Sequence, residues 1–242
     1  MPSPSSARRA ALPDTIRGAA ILSMIAYHAC WDGFYLLGLP WGWFTSDAAR
    51  FWQQSICWTF ILLSGFCWPM GRHHLKRGLT VLGAGALLTI VTLLLVPENR
   101  VICGVLTFTG SAMLLMIPLD RLCRRIPPIL GAAGSFIVFL ALWAITLPSL
   151  SETAGLPLRM LAVWTGFPPA DFFSTDYFPL LPWLFLFVTG RFLHPLLTRR
   201  PQWERWKQLG IRPLSLVGRF ALPVYLLHQP VLYGLVLLIQ MA

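Results

Sequence analysis

Two histidines and an aspartate stand in runs that are otherwise almost wholly apolar. His28 and Asp32 lie four positions apart in YHACWDG, and His228 lies in YLLHQP. An ionisable side chain near the centre of a bilayer costs at least ~3 kcal/mol, so it usually faces a protein interior or a water-filled cavity. Residues four apart share a helix face. A carboxylate beside an imidazole can orient the ring, fix its tautomer and raise its basicity, which equips a general base. The plainer alternative for His28 is a ring satisfied by a neighbouring helix, with Asp32 at the outer interface. Pro223 and Pro230 bracket His228 and free backbone carbonyls that a packed site can use. Its plainer job is an interhelical hydrogen bond.

Arg17 precedes His28 by eleven positions. On an α-helix that is three turns plus about 20°, so the two side chains share one stripe about 16 Å apart along the axis. The stripe suits a long ligand with an anionic head and a reactive tail. Coenzyme A is such a ligand: its phosphates can pair with an arginine at the mouth while the pantetheine arm carries a thioester inward. An ordinary basic anchor at the inner face would put an arginine at the same place. Asp176 and Tyr177, in STDYFPLLPW, either meet a substrate at the outer face or serve as a helix cap and an interfacial anchor. His73 and His74, in RHHLKR, read as solvated. Nothing resembles HExxH, so no metal is expected. Cys30, Cys57, Cys67, Cys103 and Cys123 show no CxxC spacing and read as free thiols.

The elements that must hold these groups follow from composition. Of 242 residues, 56% are hydrophobic and 12% charged, against about 25% charged in an average soluble domain. Lipid is the solvent this balance fits. The net charge of +10 lies in short clusters between apolar runs, so it reads as topogenic charge, not as a nucleic-acid surface. The start carries arginines but no cleavage site after a short apolar core, so the first run is a retained helix. Seven spans are predicted: Gly18–Leu39, Phe51–Met70, Leu79–Val96, Ile102–Leu119, Ile129–Leu147, Phe178–His194 and Phe220–Gln240. With the N-terminus inside and the C-terminus outside, sixteen of the nineteen lysines and arginines fall on the inner side. Only Arg50, Arg100 and Arg159 remain outside. Trp41, Trp43 and Trp52 flank the outer ends of the first two spans, where an aromatic belt would sit. The expected fold is an all-α polytopic integral membrane helix bundle. A cytoplasmic segment, 1–17, precedes a single membrane domain, 18–242. A long outer loop, 148–177, contains an apolar stretch at 156–167 too short to span, which either lies in the interface or re-enters the protein.

The blocks RGAAILSMIAYH, WTFILLSGF, ICGVLTFTG, DYFPLLPWLFLFVTGR and VGRFALPVYLLHQPVLY occur in this order. Together they resemble the bacterial DUF1624 membrane proteins, grouped with the catalytic domain of heparan-α-glucosaminide N-acetyltransferase. The likeness runs from Asp14 to Tyr233, and its opening Arg-x10-His spacing is shared with the acyltransferase-3 membrane enzymes. The resemblance implies a transmembrane acyltransferase. The donor would be acetyl-CoA or another acyl-CoA, and the acceptor a glycan or amino sugar across the membrane. Position by position, Arg17 and His28 match the Arg-x10-His elements, Asp176 and Tyr177 the outer block, and His228 the histidine of the last helix. Two positions depart: Thr107 stands where many relatives have histidine, and the heparan enzyme has asparagine at the place of His28.

The resulting expectation assigns His28 as general base, Asp32 as its orienting group and His228 as a second catalytic group. Arg17 binds donor, and Asp176 and Tyr177 bind substrate. Direct transfer and a transient acyl-histidine both fit. The expected setting is a bacterial cytoplasmic (inner) membrane, with the bilayer and an amino-sugar or glycan acceptor as partners, no nucleic acid, and homo-oligomerisation left open. The alternative is a proton-coupled transporter or flippase using the intramembrane histidines, against which the absence of inverted repeats argues. A non-catalytic membrane subunit is the third reading.

Overall fold

The computed structural model describes residues 10–145, 149 and 155–241. Arg8 and Arg9, the end of the fifth predicted span at 146–147, and the start of the long outer loop with Glu152 lie outside the described residues. Among the described residues there are ten α-helices and no strand. They are α1 (Ala11–Tyr35), α2 (Asp47–Cys67), α3 (His74–Leu95), α4 (Val105–Cys123), α5 (Pro128–Trp143), α6 (Leu156–Thr165), α7 (Leu180–Thr198), α8 (Trp203–Trp206), α9 (Arg212–Arg219) and α10 (Ala221–Met241).

A helix occupies each of the seven segments predicted to span. Four of them, α3, α4, α7 and α10, are long and apolar enough to cross a membrane by length and composition. α5 is apolar but has only 16 residues. α1 and α2, with 25 and 21 residues, are long enough but interrupted by polar groups such as Asp14, Arg17, Gln53 and Gln54. Several helices run beyond their apolar segment. α1 begins at Ala11, not Gly18, because the backbone N–H groups of Ala11 and Leu12 donate to the carbonyl of Lys207 at 2.7 and 3.2 Å. Those donors would otherwise be unsatisfied at a helix start. Pro13 is tolerated there because the first turn needs no N–H from it. The basic stretch before the last span, expected as an inner loop, folds into the short helices α8 and α9.

The chain divides into two compact units, 1–60 with 199–242 and 61–198; α2 runs through the boundary. In the first unit α1 packs on α9 and α10. Ile21, Met24 and Ile56 form its buried centre, with Val217, Val224 and Tyr225 packed against them. The indole N–H of Trp52 donates to Ser23 Oγ at 2.8 Å. Gly18 and Gly218 make the closest approach. A Cβ on Gly18 would collide with the carbonyl of Leu214, and one on Gly218 with the carbonyl of Asp14. Small residues on both sides let two helix backbones touch, the usual device between helices in lipid. The hydroxyls of Thr15 and Ser215 then meet at 2.7 Å.

In the second unit α3 packs on α4 and α5 on α7. Gly65 of α2 and Gly190 of α7 repeat the reciprocal backbone contact. Phe108, Phe139, Phe187, Leu186 and Met116 are fully buried. α3 turns Leu79, Leu87, Ile90, Leu94 and Leu95 outward, a face that lipid can cover. The apolar stretch at 156–167 forms α6, which exposes Leu156, Leu158, Met160 and Leu161 and is tied down by Trp164 Nε1–H donating to Ser111 Oγ at 3.1 Å.

Candidate active site

α1 and α10 bring the two histidines together. His28 Nδ1 and His228 Nε2 lie 2.9 Å apart, and the ring centroids are 4.9 Å apart. His228 Nδ1 reaches back to the backbone carbonyl of Tyr225, three residues earlier on α10. These two contacts dictate the tautomers of the neutral pair. A carbonyl only accepts, so His228 Nδ1 carries the proton and donates it. His228 Nε2 is then an acceptor, and His28 Nδ1–H must be its donor. The proton of His28 is thereby held at Nδ1, and His28 Nε2 carries a bare lone pair. That is the form an imidazole needs to act as a base.

Spacing on α1 assigned the orienting role to Asp32. In the structure His228 makes that contact, and Asp32 Oδ1 accepts from Gln229 Nε2 at 3.0 Å. The reason is direction: residues four apart share a face, but the His28 ring reaches across to α10 and not along its own helix. Asp32 is 2% exposed. The two contacts, His28–His228 and Asp32–Gln229, tie α1 to α10 at positions one turn apart on α1. Gln229 and Tyr225 carry no charge at neutral pH, so the cost of burying charge in an apolar run does not single them out from sequence.

Toward the start of α1, Arg17 pairs with Asp14, Nη1 to Oδ1 at 3.1 Å. Arg219, the last residue of α9, brings its Nε to 3.7 Å from Asp14 Oδ2. An open apolar groove of about 460 Å³ is lined by Ile25 of α1, by Phe220, and by Val224, Leu227, His228 and Leu232 of α10.

Asp176 and Tyr177 belong to the second unit. Asp176 Oδ2 accepts from the backbone N–H of Val105 at 3.0 Å, so the carboxylate caps the first turn of α4, where it also meets the positive end of the helix dipole. Tyr177 donates its hydroxyl to the carbonyl of Val163 at 2.6 Å. Burial, with a smaller contribution from Cys103, pushes that hydroxyl well above its ordinary pKa, so it remains a neutral donor. Thr107 packs against Gly85 of α3.

Two further groups of this unit correct or extend the sequence reading. His74 is not solvated: its ring stacks on Trp68 with centroids 4.1 Å apart and its Nδ1 is buried. Asp120 and Arg191 form a buried ion pair, Oδ1 to Nη2 at 2.6 Å, and Arg124 Nε adds a second contact at 2.7 Å. Arg191 was counted from sequence only as an inner-face charge, and Asp120 was not singled out. Among the described residues no group of three or more His, Cys, Asp or Glu side chains could hold a metal ion.

The family profile described as heparan-α-glucosaminide N-acetyltransferase, catalytic, matches residues 9–230. The chain belongs to this family. No curated protein and no solved structure matches it. The matched stretch of this heparan-α-glucosaminide N-acetyltransferase-like chain contains Arg17, His28, Asp32, Asp176, Tyr177 and His228. With its several apolar helices, membership in this membrane N-acetyltransferase family makes the chain an integral membrane protein. The family match also takes in Asp120, Arg191 and Gln229.

Proposed function

We propose that the protein is an acyl-CoA-dependent membrane acyltransferase that moves an acetyl group to the amine or hydroxyl of an amino sugar or glycan. The observation that carries this reading is the His28–His228 pair, whose outer contact to the Tyr225 carbonyl leaves one basic nitrogen, His28 Nε2, without a proton. The acceptor amine attacks the thioester carbonyl. The new C–N bond forms, the C–S bond breaks, and the amine proton passes to His28 Nε2. The resulting imidazolium keeps its Nδ1–H on His228 and then protonates the departing thiolate. Asp32, with Gln229, supports the dyad from one turn away and does not touch the transferred proton. Arg17 holds donor phosphate. Asp176 and Tyr177 keep the acceptor-binding assignment that the resemblance implies, alongside their capping and anchoring contacts.

The accompanying topology has seven spans, the N-terminus in the cytoplasm and the C-terminus outside, in a bacterial cytoplasmic membrane. α1 and α2 count as spans in this scheme because polar groups such as His28, Asp32 and Ser23 are partnered within the protein. A cysteine introduced between Arg199 and Lys207, in a background lacking the five native cysteines, should label only from the cytoplasmic side. One introduced at Glu152 should label only from outside. Labelling of both from one side would contradict the topology.

Release of free CoA thiol from acetyl-CoA, strictly dependent on an added amino sugar, tests the activity in purified protein. Proton-coupled sugar uptake into vesicles without thiol release would instead establish the transporter reading, since a histidine pair can also pass protons.

A further inference from the structure

Two oxygens at the contact between Asp32 and α10 stand idle. Gln229 Nε2–H donates to Asp32 Oδ1 at 3.0 Å, yet Asp32 Oδ2 and Gln229 Oε1 are both buried without a hydrogen-bond partner. Buried acceptors left bare are costly and rare. Asp32 is 2% exposed, and among the described residues no cation pairs with it. The titratable groups beside this contact are His28, one turn earlier on α1, and His228, next to Gln229 on α10, and those two rings hold each other. Tyr27 and Tyr225 contact the two histidine rings and carry no charge at neutral pH. At the residue after Asp32, Trp41 and Leu39 pack on Gly33 and bring no charge either. An ionised carboxylate here would have one side-chain hydrogen bond and no counter-charge. A charge buried in that way is normally discharged by taking up a proton. A single proton also satisfies both idle oxygens. On Asp32 Oδ2 it makes a donor, and Gln229 Oε1, on the amide that already holds Oδ1, is an acceptor in need of one. Exchanging the amide oxygen and nitrogen gives the same ring with the two Asp32 oxygens exchanged.

We infer that Asp32 is a neutral carboxylic acid locked in a cyclic pair with the Gln229 amide, in which Gln229 Nε2–H donates to Asp32 Oδ1 and Asp32 Oδ2–H donates to Gln229 Oε1. Gln229 is then a positioning residue. It fixes the proton of Asp32 and, as the neighbour of His228, holds α10 where His228 meets His28. The consequence for chemistry rests on the acyl-transfer reading above; the protonation of Asp32 does not. A carboxylate one turn from His28 would stabilise the imidazolium and keep a proton on the ring. A neutral acid leaves the lone pair of His28 Nε2 free to act as the base.

The test is infrared spectroscopy of the purified full chain in lipid vesicles at neutral pH, with the spectrum of Asp32→Asn subtracted. The difference should contain a carboxylic-acid C=O stretching band, which heavy-carbon labelling of aspartate shifts in the unaltered chain, so the assignment does not depend on a variant folding. Gln229→Met should move the band to higher frequency, because the C=O loses the N–H that donates to it. Carboxylate bands in place of the acid band would overturn the inference. An acid band unmoved by Gln229→Met in a folded protein would overturn the ring. The pH profile of acyl transfer gives a second readout. Asp32→Asn replaces one neutral group by another, so the ascending limb should keep the wild-type midpoint. A limb displaced to lower pH in Asp32→Asn would show that a carboxylate had been holding the imidazolium, against the neutral form. Absence of acyl transfer by wild type would sink the activity reading and leave the infrared result to decide the state of Asp32.

Discussion

Replacing His28 by alanine should lower turnover by about 10²–10⁴, the usual worth of a positioned base, while the protein folds and still binds acyl-CoA. The argument has three steps. The carbonyl of Tyr225 fixes the proton of His228 on Nδ1; His228 Nε2 then fixes the proton of His28 on Nδ1; His28 Nε2 is left to accept a proton. Removing His28 deletes the base outright. Donor affinity should survive, because the proposed phosphate site lies at Arg17, about 16 Å along the helix. His228→Gln should cost less than His28→Ala, since an amide oxygen can still accept from His28 Nδ1–H. Asp32→Asn should cost less again, because Asp32 contacts Gln229 and not the reacting ring. The pH profile offers a readout that a packing defect would not move. The wild type should show an ascending limb with the apparent midpoint of the coupled histidine pair, and His28→Ala should lose it. Near wild-type turnover from a folded His28→Ala protein would move the base to His228.

Asp120→Ala should destabilise the second unit by about 3–5 kcal/mol, the cost of leaving one member of a buried pair unpaired. Asp120 and Arg191 are 5% and 8% exposed, on α4 and α7, so the guanidinium would lose both its close contacts to Oδ1 without gaining water. Arg124→Ala is the internal comparison. It removes a contact to the same carboxylate, but the Arg124 side chain is 74% exposed, so its loss should cost no more than ~1 kcal/mol. Unfolding of the three proteins in mixed detergent, followed by helical circular dichroism, gives the ranking. Equal stability of Asp120→Ala and wild type would show that the pair contributes nothing to the unit.

The helices were legible because apolar runs of bilayer length leave few other readings. Their ends were not, because hydropathy marks where a segment becomes apolar and a helix continues through polar turns wherever its backbone groups find partners. The start of α1 is the case in point: Asp14 and Arg17 look like a cytoplasmic tail until Lys207 supplies a carbonyl to Ala11 and Leu12. α9, with eight residues, is too short for a periodic pattern to stand out in a basic stretch. At the site, His28 and His228 could each be found as costly groups in apolar runs. Their partnership could not, because two hundred positions separate them and only the packing of α1 on α10 closes the gap. The i,i+4 rule drew attention to Asp32 as the neighbour of His28, yet the ring turned across to the other helix. Asp120 and Arg191 show the same difficulty from the other side. Each could be read alone as an interfacial charge, and only their 2.6 Å contact turns them into a buried pair.

The central claim is acyl transfer that depends on His28. The most direct measurement uses acetyl-CoA carrying a radiolabelled acetyl group at saturating concentration, a panel of amino sugars, and wild-type and His28→Ala proteins purified alike. Label should appear on at least one amino sugar with wild type, with equimolar release of CoA, and should fall by at least about 10² with His28→Ala. Equal transfer by the two proteins, or no transfer by wild type to any acceptor while it binds acetyl-CoA, would contradict the account.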